Sequence, residues 1–178
     1  NDNISNWDVS NVTNMNSLFA WADNFNQNLS SWDVSSVTQM NNMFVNVKNF
    51  NGDLSNWDVS NVTTFENMFM YAEAFNGNIS TWDVSGANSM GQMFHIASSF
   101  DQDLSDWDVS NVTSMWRMFL GASSFNQDIS TWDVSSVTNM DNMFLNANAL
   151  SDENKCAINT SFQSNDAWTH EWSNTCYQ

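Results

Sequence analysis

The sequence predicts an α/β repeat solenoid, with one short parallel strand and one short helix in every 25-residue coil and a small helical C-terminal cap. Three observations predict it. Tryptophan recurs at Trp7, Trp32, Trp57, Trp82, Trp107 and Trp132, always 25 residues apart, and each is followed by Asp-Val-Ser. Two phenylalanine files keep the same interval, one from Phe19 to Phe144 and one from Phe25 to Phe125. Within each interval the apolar residues change rhythm, from alternation to spacings of three and four. A fixed period of roughly 20–50 residues marks a repeat array. Each unit of such an array hides its apolar face only by stacking on its neighbours.

Residues 29–50 represent every copy. Trp32 and Val34 alternate with Ser31, Asp33 and Ser35, the period of a half-buried strand over 31–35. Thr38, an N-cap candidate, then precedes Met40, Met43, Phe44 and Val47, whose spacing is one face of a helix. That helix has about nine residues and is too short to stand alone. Ala22, Ala72, Ala97, Ala122 and Ala147 occupy the Val47 position, where a small residue lets a helix lie close to a sheet. Asn26, Asn51, Asn76, Asp101 and Asn126 follow the second phenylalanine and predict a side-chain ladder that satisfies the turn's backbone groups. Strands about 4.8 Å apart would form a parallel sheet with the helices opposite. The Trp, Val, Met and Phe files are read as core rather than as a cofactor box. Coil four carries Gly86, Ala87 and Asn88 where the others have Asn/Ser-Val-Thr, so it is the expected soft spot.

Two segments result: six coils over 1–149 and a cap over 150–178. Ser151 followed by Asp152 and Glu153 starts a helix. Ser164 or Asn165 starts a second, carrying Trp168 and Trp172 four apart. Cys156 and Cys176 are the two cysteines, and both lie here. They are read as a disulfide staple, which implies an extracellular or otherwise oxidising setting, with two buried thiols as the alternative. Ile4, Trp7 and Val9 have no comparable cap. They are expected at an open end, which suggests a piece of a longer repeat protein or an absent partner.

Twenty acidic against three basic residues give a net charge of −17. Such a surface repels phosphate backbones and anionic bilayers and attracts cations. No apolar run is long enough to span a membrane, so membrane insertion is not expected.

Asp8, Asp33, Asp58, Asp83, Asp108 and Asp133 form one outward file. Carboxylates one strand apart repel by about 0.9 kcal/mol in bulk water, so the file needs compensation. Serine hydroxyls and backbone amides, Ca²⁺ held between rungs, or a basic or polyhydroxylated ligand are the three candidates. At least some of these aspartates are expected to titrate above the ordinary carboxylate value as a coupled set. Catalysis is not expected. His95 and His170 lie far apart with no matching nucleophile, the Cys/His spacing fits no zinc pattern, and no glycine-rich phosphate loop is present. No cofactor is required, and Ca²⁺ is the one candidate ion. After each Met-Phe or Leu-Phe pair the residues vary. Trp21, Tyr71, Ile96 and Trp116 are the candidate partner patch, with contact between neighbouring helices as the alternative.

The stretches VTNMNSLFAWADNFNQNLSSWDVS at 12–35 and VTSMWRMFLGASSFNQDISTWDVS at 112–135 resemble the repeat of BspA-like leucine-rich-repeat bacterial surface proteins. The resemblance covers residues 1–149. It implies a leucine-rich-repeat-like solenoid on a cell exterior and a role in adhesion rather than catalysis. The expected function is a non-enzymatic extracellular module that binds a protein or glycan through an acidic, Ser/Asp-rich sheet face. The alternative is a structural spacer or self-assembling surface unit, with or without Ca²⁺, whose partners are further repeats of the same protein.

Overall fold

The structure, a computed structural model, describes residues 3–170 together with Trp172, Asn174 and Cys176. One helix is present among them, α1, Asp152–Phe162. The predicted strand-and-helix coil is not found. Residues 31–35 form no strand, residues 39–47 form turns rather than a helix, and no sheet assembles among the described residues. Parallel pairing is confined to isolated bridges, Asn14 with Gln39, Thr64 with Ser89, Ser89 with Ser114 and Ser114 with Asn139. The chain instead lays six turn-built coils one on the next, a coil for each tryptophan.

The backbone bonding explains why a helix loses. In a helix every N–H bonds the carbonyl four residues back. Here alternate N–H groups do different things. Met43, Val45 and Val47 donate to the carbonyls of Met40, Asn42 and Phe44, closing successive turns at 3.3, 3.2 and 3.1 Å. The residues between them, Asn42, Phe44 and Asn46, donate to Glu66, Met68 and Met70 of the next coil at 3.0, 2.9 and 2.7 Å. Asn42 and Asn46 have φ of 59° and 55°, left-handed values that a right-handed helix cannot hold. A chain of three-residue turns places apolar residues three and four apart just as a helix does, so Met40, Met43, Phe44 and Val47 still face inward. The expected strand fails similarly. Trp32 and Val37 donate within their own coil, to Leu29 and Val34, which turns the chain on either side of Asp33.

The core is the set of columns that the period implies. Trp32, Trp57, Trp82, Trp107 and Trp132 are all buried, and the Trp57–Trp82 and Trp107–Trp132 rings lie parallel at 6.4 Å. Each indole N–H donates to a carbonyl 28 residues earlier, as Trp82 does to Leu54 at 3.0 Å. Phe44, Phe69, Phe94, Phe119 and Phe144 stack at 5.4–5.8 Å. A second file, Phe50, Phe75, Phe100 and Phe125, stacks at 6.0–6.3 Å. An insertion in any coil would shift all these columns at once, which is why the interval is held at 25. The asparagine ladder forms as expected: the N–H groups of Asn51, Asn76, Asp101, Asn126 and Ser151 each donate to the Oδ1 one coil earlier, at 2.8–3.2 Å. Coil four keeps its bonding. Ala87 is fully buried, and its N–H reaches Val84 at 2.9 Å, as Val112 reaches Val109.

The C-terminal cap begins as the sequence implies. Ser151 Oγ accepts from the Asn154 N–H at 3.2 Å, Asp152 and Glu153 lie in the first turn, and Cys156 and Cys176 form a disulfide. The second predicted helix is absent from the described residues, because 163–167 are turns and a bend. Asn165 Nδ2 instead donates to the carbonyls of Val134 and Val137 at 2.7 and 2.9 Å, fastening the cap to coil six. Trp168 and Trp172 pack against Phe144. His170 Nε2 accepts the Phe144 N–H at 3.4 Å, in the place where the next coil's carbonyl serves Phe119. At the other end, Trp7 is 58 % exposed and Leu18 46 %, whereas their counterparts in the interior coils are buried.

Candidate functional site

Two files on the surface were singled out by sequence. The first is the aspartate file. All six side chains are exposed. Each Asp Oδ1 accepts the N–H of the serine two residues on, at 3.0–3.1 Å. In Asp8, Asp33, Asp58, Asp83 and Asp108 it also accepts that serine's hydroxyl, at 2.6 Å. This is an Asx-turn, in which a side chain replaces a backbone acceptor. The internal hydrogen bonds, one of the three compensations considered, are therefore formed. The second oxygen, Oδ2, has no partner among the described residues.

These bonds reverse the expected titration. The serine hydroxyl first and its amide second hold Asp8, Asp33, Asp58 and Asp108 below the ordinary value of 3.8, and Ser135 lowers Asp133 as well. Repulsion from the neighbouring carboxylate raises Asp33, Asp58 and Asp108 by less. Hydrogen bonds to the charged form outweigh like-charge repulsion across solvent. A carboxyl depressed in the folded state stabilises the fold above the unfolded value and loses that contribution as pH falls through the folded one. Acid is therefore expected to loosen the coils only below about pH 4. Ser60→Ala is expected to return the Asp58 pKa toward 3.8, read by NMR titration. An unchanged Asp58 would contradict the assignment.

Sequence reasoning missed a parallel file. Asn28, Asp53, Asn78, Asp103 and Asp128 make the same turn with Ser30, Ser55, Ser80, Ser105 and Ser130, with N–H to Oδ1 distances of 2.9–3.0 Å. The signal was present: Asn/Asp-Leu/Ile-Ser has the spacing of Asp-Val-Ser. Among the described residues no group of three His, Cys, Asp or Glu gathers to hold a metal ion.

The second file is the candidate partner patch. Trp21, Tyr71 and Ile96 do not lie on helices. They share one left-handed position per coil, with φ of 66°, 60° and 56°. Asn46, Gly121 and Asn146 fill that position in the other coils, and Arg117 occupies the companion position four residues earlier. Asn and Gly are at ease in this conformation, whereas bulky and β-branched residues are not. Tyr71 and Ile96 occupy this position on consecutive coils, and the Tyr71 ring lies 5.2 Å from His95. Ile96 Cγ1 would lie 2.9 Å from a Cβ at Gly121, so glycine there suits both the φ of 70° and the neighbour. Trp116 lies against Gly91 in coil four, with the Arg117 guanidinium 5.1 Å from its ring centroid. Trp21 stands apart in coil one, 70 % exposed. Trp21→Asn is expected to stabilise the fold by about 1 kcal/mol, because it removes the left-handed penalty of a residue that buries little. A thermal melt lower than that of the parent would contradict this.

His95 is buried and sits 2.6 Å from Gln92 through Nδ1. Burial first, and the Arg117 charge second, keep it below the usual imidazole value. The one ion pair among the described residues is Lys155–Asp152 at 3.2 Å, and no described helix is long and apolar enough to cross a membrane.

A family profile described as "Mycoplasma protein of unknown function, DUF285" matches residues 1–95 and again 77–170. No curated protein and no solved structure matches the chain.

Proposed function

Given that the chain belongs to the DUF285 family, we propose that it is a non-enzymatic, extracellular interaction module that binds a protein or glycan through its Asp/Ser face. Kinship with BspA-like adhesion proteins is part of this reading. The observation that carries it is the unbroken exposed file of six Asp-Val-Ser turns. Each spends one carboxylate oxygen on its own serine and leaves the other free for a partner. The left-handed Tyr71 and Ile96 support it, because bulky residues in costly backbone positions gather where a surface is used. The disulfide suits an oxidising exterior.

The test is a screen against extracellular-matrix proteins and glycans at physiological salt, with the parent and a variant in which all six aspartates are Asn. Asn28 and Asn78 already make this turn, so the variant keeps its local geometry. Binding by the parent that the variant loses supports the reading. Equal binding by both removes the Asp face from it. The reading needs no metal. EDTA followed by excess Ca²⁺ is expected to leave the melting midpoint unchanged. A rise with Ca²⁺ would assign the file to cation binding, since a ligand of the native state stabilises it.

The face of coil one favours a second reading, assembly by coil stacking. The Asn14, Asn16, Leu18 and Ala20 carbonyls have no partner among the described residues. Their counterparts Gln39, Asn41, Met43 and Val45 accept from the coil before. A further coil of the same repeat fits this row. Concentration-dependent association in sedimentation, lost in Leu18→Glu, would favour it over binding through the Asp face.

A further inference from the structure

We propose that Asn51 and Asn76 are sites of spontaneous covalent modification, at which the asparagine ladder converts itself to acid with water as the co-reactant. Of the five ladder positions, these two are followed by glycine, as Asn51-Gly52 and Asn76-Gly77. Asn26 and Asn126 are followed by glutamine, and the fifth position is already Asp101. Both asparagines are exposed. Glycine leaves the following backbone nitrogen unshielded by a side chain and free to turn toward the preceding side chain.

The hydrogen bonding of the ladder polarises the group to be attacked. Asn51 Oδ1 accepts the Asn76 N–H at 2.8 Å. Asn76 Oδ1 accepts two donors, the Asp101 N–H and Gln102 Nε2, both at 2.9 Å. Donors on a carbonyl oxygen draw charge from its carbon and stabilise the oxyanion that forms on addition. The nucleophiles are unencumbered, because the Gly52 and Gly77 N–H groups have no acceptor among the described residues. The leaving groups are free as well, since neither Asn51 nor Asn76 Nδ2 makes a hydrogen bond among the described residues.

The step balances as follows. The Gly77 nitrogen, losing its proton to solvent, forms a bond to Asn76 Cγ. The Cγ–Nδ2 bond breaks, and ammonia departs with that proton's equivalent. Water then opens the five-membered imide at one of its two carbonyls. Opening at Cγ regenerates the ordinary backbone with Asp in place of Asn and one added negative charge. Asp101 shows that the ladder accepts this product, because its Oδ1 takes the Asn126 N–H at 2.8 Å and Gln127 Nε2 at 2.7 Å. Opening at the main-chain carbonyl routes the backbone through Cγ and lengthens it by a methylene. That product displaces the acceptor from the Asp101 N–H and breaks the ladder between coils three and four.

The experiment is a peptide mass map of the folded parent after incubation at mildly alkaline pH in ¹⁸O-water. Each converted site gains the mass of an amide-to-acid exchange with the label. Conversion at positions 51 and 76 is expected several-fold faster than at Asn26 and Asn126, which share the ladder but precede Gln27 and Gln127. Gly77→Gln, the residue of the sister coils, is expected to stop conversion at Asn76 while Asn51 continues. Equal rates at all four asparagines in the folded parent would overturn the proposal, as would conversion that appears only after unfolding in urea. Neither readout depends on the variant's folding.

Discussion

Trp82→Ala is expected to destabilise the protein by about 3–5 kcal/mol, the range for removing a buried aromatic side chain. Trp82 lies in the middle of the stack, buried between Trp57 and the Phe69 and Phe65 rings, with centroids at 6.4, 6.4 and 5.9 Å. An indole buries about 150–250 Å² of surface, so the apolar contribution alone reaches several kcal/mol. The substitution also removes the indole N–H bond to the Leu54 carbonyl at 3.0 Å and leaves that carbonyl with the Trp57 N–H at 3.1 Å. Losing one of two hydrogen bonds on a carbonyl costs about 0.5–1.5 kcal/mol. Trp82→Phe keeps a ring and loses the donor, so its cost is expected near that smaller range. For a chain of this length the alanine variant corresponds to a fall of roughly 10 °C in melting temperature. Melting curves of the two variants separate the contributions. If Trp82→Phe costs as much as Trp82→Ala, the hydrogen bond dominates. If neither moves the midpoint, the column does not hold the coils.

The second large effect concerns the disulfide. Cys156 and Cys176 close a loop of 20 residues between α1 and the chain end. Losing a cross-link over such a loop costs about 3 kcal/mol in the chain-entropy account. The cost falls on the cap, which shields Phe144, Leu150 and the buried Ile158 and Phe162. Cys156→Ser with Cys176→Ser is therefore expected to lower the melting midpoint and to raise the solvent accessibility of Trp168, read by fluorescence quenching. The interior coils are expected to keep their hydrogen-exchange protection, because an array of nearest-neighbour contacts loosens from its ends. Loss of protection at Phe94 equal to that at Phe144 would contradict a local role.

How much of this was legible follows from what a repeat displays. The columns of Trp32, Phe44 and Phe50, the ladder from Asn26 to Asn126 and the Ser151 cap are written as side-chain identities at a fixed interval, and the structure places them accordingly. The serine bonds to Asp33 and its counterparts were legible too, since residue and acceptor are two apart. The local backbone was not. Spacings of three and four are shared by a helix and by successive turns, and only handedness separates them. The available clue was Asn at 42, 46, 67, 142 and 146 with Gly at 121, residues that accept φ above zero at repeating positions four apart. Trp21, Tyr71, Ile96 and Arg117 at the same positions concealed it. The sign of the aspartate shifts was misjudged because repulsion along the file was given more weight than the serine bonds that each carboxylate makes inside its own turn.

The central claim is that adjacent coils are joined by alternate N–H groups of a turn chain, with no helix beneath them. Scalar coupling across hydrogen bonds, measured by NMR on isotope-labelled protein, tests it most directly. Coupling is expected from the Phe69 nitrogen to the Met93 carbonyl carbon and from the Phe94 nitrogen to the Met118 carbonyl carbon, the pairs bonded at 2.9 Å. Coupling from Phe69 to the carbonyl of Phe65, four residues back, would establish a helix and contradict the account.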